Sequence, residues 1–240
     1  MFPLRDLNPR RGRPLITLGL VLLNIAVFAF WQPHSGASDE AEFLYAHAVI
    51  PCEVTTGEPL SVPEINQGVC VDGGGGTPAF PDKNVWLAGL VSMILHANLF
   101  HLLTNMWVLY VFGDNIEDAY GHIGYLAMYL AAGIIATAAF VFAHPDGTVP
   151  LLGASGAIAG VLGSYLVLYP KRRVISLVVF WIVPVPAAVF LGIWFLSQFL
   201  VVGSGVAWEA HVGGFIAGAA ITLLLRPILE GGGRRRRATG

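Results

Sequence analysis

Of the 240 residues, 55% are hydrophobic and 12% are charged, whereas a soluble domain carries about 25% charged residues. This balance points away from a soluble domain and towards a membrane, and the formal net charge of −2 carries no signal for nucleic acid. The length suits one compact helical unit, with no second folded domain expected.

The first 14 residues are basic, and residues 15–31 are apolar. At 17 residues, the latter make a helix roughly 25 Å long, just enough to cross a hydrocarbon core. Trp31, Gln32 and Pro33 offer no small-residue cleavage site, so the segment reads as a first span rather than a signal peptide. Residues 32–84 form the only long connection, with eight acidic residues, a glycine run at 73–76, and both cysteines, Cys52 and Cys70. On the outer side of a membrane the two could pair, which in the chain-entropy model gains roughly 3 kcal/mol. Two unpaired thiols are the alternative, and no zinc-ligand spacing accompanies them.

An amphipathic lead-in at 85–95 precedes a second span at 96–112, followed by an acidic connection at 113–121. A third span covers 123–143 and a fourth 151–169. Residues 174–202 are too long for one straight crossing and are interrupted by Pro184 and Pro186. Proline suits the first turn of a helix, so the fifth span is expected from Pro186 to Val202. That leaves 174–183 as a short apolar piece at the interface. A sixth span covers 206–225, and 231–240 reads as a flexible basic tail suited to an anionic inner leaflet. The expected organisation is a cytoplasmic N-terminus at 1–14, a six-span unit at 15–226 and a cytoplasmic Gly/Arg tail at 227–240.

The basic residues test this topology. With six spans and both termini inside, all thirteen Lys and Arg except Lys83 fall on the cytoplasmic side, as the positive-inside rule requires. Spans two, four and six then run from outside to inside. Counted from their outer ends, His101 and Asn105, Ser155, and His211 each lie about 5–15 Å deep. Three segments thus place polar groups in one layer, where such groups are costly and functional by default.

Small residues explain how these groups meet. Gly156 and Gly160, then Ser155, Ala159 and Gly163, form neighbouring rows in span four; Ala210, Gly214 and Gly218 form a row in span six. Small-xxx-small rows let helix backbones approach closely. Plain helix packing is their commoner meaning, but here both adjoin candidate catalytic groups. A serine hydroxyl needs a base to become a nucleophile, and His211 is the only histidine in spans four to six. Asn105 and His101, four apart on one helical face, together with the Ser155 backbone N–H, could bind a developing oxyanion. No acidic residue lies beside His211 except Glu209 at the water boundary, so a dyad is expected rather than a triad. Taken singly, Ser155 reads as a packing serine, His101 and His211 as satisfied core histidines, and Asn105 as helix glue; the joint pattern overturns those readings.

On these residues the chain resembles the rhomboid family of intramembrane serine proteases. His96-Ala-Asn-Leu-Phe-His101-Leu-Leu-Thr-Asn105 looks like the family's span-two signature, Gly153-Ala-Ser155-Gly156 matches GxSG, and Ala210-His211-Val-Gly-Gly214-Phe-Ile-Ala-Gly218 matches AHxxGxxxG. Phe112 to Asp118 is similar to a typical prokaryotic member. The resemblance implies an all-α membrane protein, a six-transmembrane-helix bundle with a long outer first loop. Ser155 would be the nucleophile and His211 the general base and acid. Asn105 and His101 would bind the oxyanion, with His96 and Gly153 in support and no metal or organic cofactor. It implies single-span membrane proteins as substrates, within membrane lipid, cut in or near the transmembrane segment. It also implies a location in a prokaryotic cytoplasmic membrane, a site opening to the outer side, and span five as a lateral gate.

Water would reach Ser155 from outside, through a cavity roofed by the loop at 203–205. Some members place a tyrosine four residues after the serine to stack on the histidine. Here that position is Ala159, so the sequence names no residue that orients His211. The first loop also lacks the family's frequent Trp-Arg pair. Alternatives are a catalytically inactive relative that binds membrane clients, a transporter, or a haem-binding bundle using His101 and His211. No charged residue falls near the middle of any span, which argues against a transporter.

Overall fold

Apolar stretches of this length become helices because each helix satisfies its backbone N–H and C=O groups within its own segment. A computed structural model describes residues 1–9, 12–71, 73, 75–201 and 205–238, with side chains as far as residue 229. In chain order the elements are β1 (Phe2–Asp6), α1 (Leu15–Phe30), α2 (Ala37–His47), α3 (Pro51–Thr56), α4 (Val62–Gln67) and α5 (Ala88–Ser92). There follow α6 (Leu99–Tyr120), α7 (His122–Ala143), α8 (Ser155–Leu168), β2 (Arg173–Val178), β3 (Trp181–Pro186), α9 (Ala187–Ser197) and α10 (Trp208–Ala238). A single 3-10 turn, Gln198–Leu200, extends α9. All six apolar segments of the sequence are helical. Two of them, His122–Ala143 and Trp208–Leu229, are long and apolar enough to cross a membrane by length and composition.

α8 occupies the centre. Ala154, Ala157, Ala159, Val161, Leu162 and Tyr165 are all buried, packed within one core that also takes in α6, α7, α9 and α10. The seam between α8 and α10 is built on glycine. A Cβ on Gly218 would run into the backbone of Gly160, one on Gly214 into the Gly156 carbonyl, and one on Gly163 into the Phe215 carbonyl. The rows expected from the sequence therefore face each other. Beyond the glycines, Ser164 of α8 donates to the Gly218 carbonyl at 3.2 Å, and Tyr120 of α6 meets Thr222 at 2.7 Å.

The expectation of an all-helical protein is corrected by a three-stranded antiparallel sheet, ordered β1-β2-β3. Residues 174–183, expected as an interfacial piece, lie in its β2–β3 hairpin. Pro184 and Pro186 are tolerated because β3 is an edge strand. The two-residue turn places Val179 at φ 56°, a conformation usually given to Gly, Asn or Asp. β1 docks on the helices: Trp107 donates to the Pro3 carbonyl at 2.6 Å, and Asp6 accepts from Asn115 at 2.7 Å and Tyr165 at 2.8 Å. The start of α1 lacks a cap of its own. Glu117 of α6 supplies one, accepting from the N–H groups of Ile16 and Thr17 at 2.9 and 2.8 Å. α10 continues through Pro227 to Ala238.

Candidate active site

The site lies where the first turns of α6, α8 and α10 converge. Asn98 caps α6 by accepting from the His101 N–H at 2.9 Å, which fixes His101 in the first turn. Before α8, Gly153 has φ 118°, a backbone conformation that favours glycine. A Cβ there would sit 2.8 Å from His101 Cε1 and 3.5 Å from Ser155 Oγ, so glycine also makes room for the imidazole. Ser155 is the first residue of α8, where backbone N–H groups have no intrahelical partner.

Across the glycine seam, His211 Nε2 lies 2.8 Å from Ser155 Oγ. The structure therefore brings together Ser155, His211, Gly153 and His101. Asn105 is turned towards His96, with its amide nitrogen 3.0 Å from His96 Nε2. His96 is fully buried, held by reciprocal bonds between its backbone and the Gln32 amide at 2.8 and 2.9 Å. Its ring meets the His101 ring edge-on at 5.1 Å between centroids. Asn105, His96 and His101 thus form one chain of contacts ending beside Ser155. Glu209, the acidic residue closest to His211 in sequence, bonds His144 at 2.9 Å.

Two residues outside the expected site approach His211: Gln198, and Trp194, which the sequence suggests as an interface anchor or lipid-facing packing residue. Gln198 Oε1 lies 2.7 Å from His211 Nδ1, and the Trp194 ring lies 6.2 Å from the imidazole, tilted by 36°. Both belong to α9 and its terminal turn. The available signal was a lone amide in an apolar run, which rarely sits in such a segment without a polar partner. The cleft at Ser155 is small, about 20 Å³, and bounded by Ser92, Gly133, Ala136, Gly153, Ala207 and Ala210. That is room for about one water. The roof expected at 203–205 falls largely outside the described residues. Among the described residues, no three His, Cys, Asp or Glu converge as a metal cluster would require.

Residues between α1 and α6 brace the segment leading into α8. Ser92 accepts from the Gly153 N–H at 2.9 Å, Val49 from the Leu151 N–H at 2.8 Å, and Gly147 from the Cys52 N–H at 2.9 Å. A disulfide joins Cys52 to Cys70. Lys83, the basic residue expected outside, forms a buried ion pair with Glu53 at 2.6 Å. Glu64 closes a capping box with Ser61. Burial acts to raise its carboxyl, but the Ser61 N–H and hydroxyl and the Val71 N–H outweigh that and hold it below the usual carboxylate range.

A family model described as the Rhomboid domain matches residues 83–228. The chain is 40% identical over 86 residues to the mitochondrial presenilin-associated rhomboid-like protein of Bos taurus, covering 35% of this chain and 23% of that one. It is 34% identical over 135 residues to the rhomboid protease GluP of Bacillus subtilis (strain 168), covering 55% and 25%. It is 31% identical over 145 residues to the putative rhomboid protein L523 of Acanthamoeba polyphaga mimivirus, covering 59% and 76%. The matched region thus spans about a quarter of the length of the first two relatives.

Proposed function

The chain belongs to the rhomboid family of integral membrane proteins, and from that premise we propose that it is an intramembrane serine endopeptidase using Ser155 and His211. Membership supports protease activity in general. The observation that carries the specific reading is the 2.8 Å contact between Ser155 Oγ and His211 Nε2 across a seam of glycines. Substrates are single-span membrane proteins, cut in the outer third of the bilayer. The protein crosses the membrane six times with both termini cytoplasmic, a topology supported by the one-sided placement of Lys and Arg.

In this mechanism His211 Nε2 takes the Ser155 proton as Oγ attacks the substrate carbonyl. The oxyanion is met by the Ser155 backbone N–H at the start of α8 and by His101. Asn105 joins them by releasing His96 for the oxyanion. His211 then passes its proton to the leaving amine, and water hydrolyses the acyl-enzyme. The cleft beside Ser155, about 20 Å³, is itself too small for a peptide.

The test is cleavage of a model single-span substrate in liposomes by the unmodified protein, Ser155→Ala and His211→Ala, each verified as folded. Cleavage by the first and background levels in both variants are expected. Cleavage surviving both substitutions removes these residues from the mechanism. Its absence in all three, across several substrates, favours the client-binding alternative.

A further inference from the structure

His211 has two ring nitrogens, and which of them carries the proton decides whether it can act as a base. Ala159, one turn after the serine, offers the ring neither a stacking face nor a hydrogen-bond partner. We propose that Gln198 is the positioning residue of His211, holding the imidazole in the tautomer whose Nε2 lone pair faces Ser155. The proposal rests on the Ser155–His211 reading above.

The chemistry of the contact is one-directional. An amide oxygen can only accept a hydrogen bond. With Gln198 Oε1 2.7 Å from Nδ1, Nδ1 must be the protonated nitrogen. Nε2, 2.8 Å from Ser155 Oγ, is then the acceptor that a general base needs. The orientation of the amide follows from its other neighbours. Its Nε2 donates to the Trp194 carbonyl at 3.0 Å and reaches Ser197 Oγ at 3.4 Å. A flipped amide would set its oxygen against the Trp194 carbonyl and lose that bond, and its NH2 group could meet Nδ1 only in the tautomer whose Nε2 carries the proton. Gln198 is only 6% exposed, so water does not readily replace it.

The other polar groups near His211 are engaged elsewhere. Glu209 on α10 bonds His144 at the end of α7, and His101 on α6 packs over Gly153. The Trp194 ring of α9 lies 6.2 Å from the imidazole, tilted by 36°. During attack the proton moves from Ser155 Oγ to His211 Nε2, and the Nδ1 proton stays in place, donated to Gln198 throughout. A neutral amide thus sets the tautomer and ring angle without adding a buried charge. Because both partners of the imidazole come from α9 and its terminal turn, the base is correctly oriented only while α9 is seated.

The experiment compares Gln198→Ala, Gln198→Leu and Gln198→Glu in the full chain, in liposomes, with the model substrate. Thermal unfolding is followed in each, and Ser155→Ala and His211→Ala are run in parallel. A positioned base contributes about 10²–10⁴-fold. Losing its orientation should therefore lower kcat by roughly 10- to 100-fold in Ala and Leu, with KM little changed. Gln198→Glu keeps an acceptor at Nδ1 and should retain most of the rate. Nitrogen-15 NMR of labelled histidine should show Nδ1 protonated in the unmodified protein and a mixture in Gln198→Ala. Ala and Leu variants that turn over at the unmodified rate with the tautomer unchanged would overturn the proposal. So would an equal loss in all three variants with a raised KM, which is the signature of lost α9 packing. If Ser155→Ala and His211→Ala still cleave, the dyad itself fails; if they are inactive while Gln198→Ala is not, only the positioning role falls.

Discussion

α10 carries the candidate base between two unlike neighbours. On the α8 side, backbones touch: Gly160, Gly163, Gly214 and Gly218 leave no space for even one added carbon. On the α9 side, contact is made by side chains alone, with Trp194 and Phe195 tilted against Phe215 and one amide on His211. Much of α9 is uncovered: Val189, Ile193, Leu196 and Phe199 are exposed, and Gly192 faces open space. Its N-terminal end is the firm one, where the Ala187 and Ala188 N–H groups donate to the carbonyls of Arg172 and Pro170 at 2.7 and 2.9 Å. The difference separates two requirements of one catalytic pair. The distance from nucleophile to base is set by the incompressible seam. The orientation of the base is set by a helix that is anchored at one end and lightly held at the other.

The largest expected effect is on the seam. Gly218→Leu would force α8 and α10 apart, at a cost at or above the roughly 1–3 kcal/mol usual for overpacking. Cleavage should fall to background and thermal stability should drop. A fully active, stable Gly218→Leu protein would break the comparison.

A smaller effect is expected in the segment between α1 and α6 that braces the α8 side. The Glu64 carboxyl is held below its usual value of 4.5, so its stabilisation is present above that pH. It is lost as pH falls through the lower, folded-state value. At neutral pH, Glu64→Gln should cost the loop about 1 kcal/mol, typical of a lost cap. The gap between the two proteins, read by urea unfolding or limited proteolysis, should close as pH drops below 4.5. A constant gap across pH would remove Glu64 from the brace. The smallest effect belongs to α9. Gly192→Ala meets nothing within 4 Å and should gain roughly 0.5–1 kcal/mol from helix propensity, with cleavage unchanged. A loss of stability there would show α9 to be as tightly packed as α8.

The α8–α10 side of this contrast was legible in the sequence because small residues at four-residue spacing mean close backbones and little else. Ser155 and His211 adjoin those rows, whereas Gly153 came only with the resemblance to GxSG. The sheet was not legible, since Val179 and Phe180 stand where a hairpin normally shows Gly or Asn. Pro184 and Pro186 also argue against a strand unless its edge position is known. β1 was hidden because pairing Phe2 with Leu177 leaves no local periodicity. Gln198 escaped because its role depends on which way the end of α9 faces, which no spacing in the run 187–202 encodes. Asn105 and His101 are four apart on α6, but the bond from Asn105 to His96 was not foreseen.

The pairing of β1 with β2 carries a consequence for how the protein is made. Residues 2–6 are synthesised long before residues 173–178, so β1 must wait unpaired while α1, α6, α7 and α8 are laid down. β2 and β3 emerge immediately before α9. Closure of the sheet therefore coincides with the birth of the helix it anchors, and the Gln198 clasp on His211 is among the last contacts the nascent chain can form.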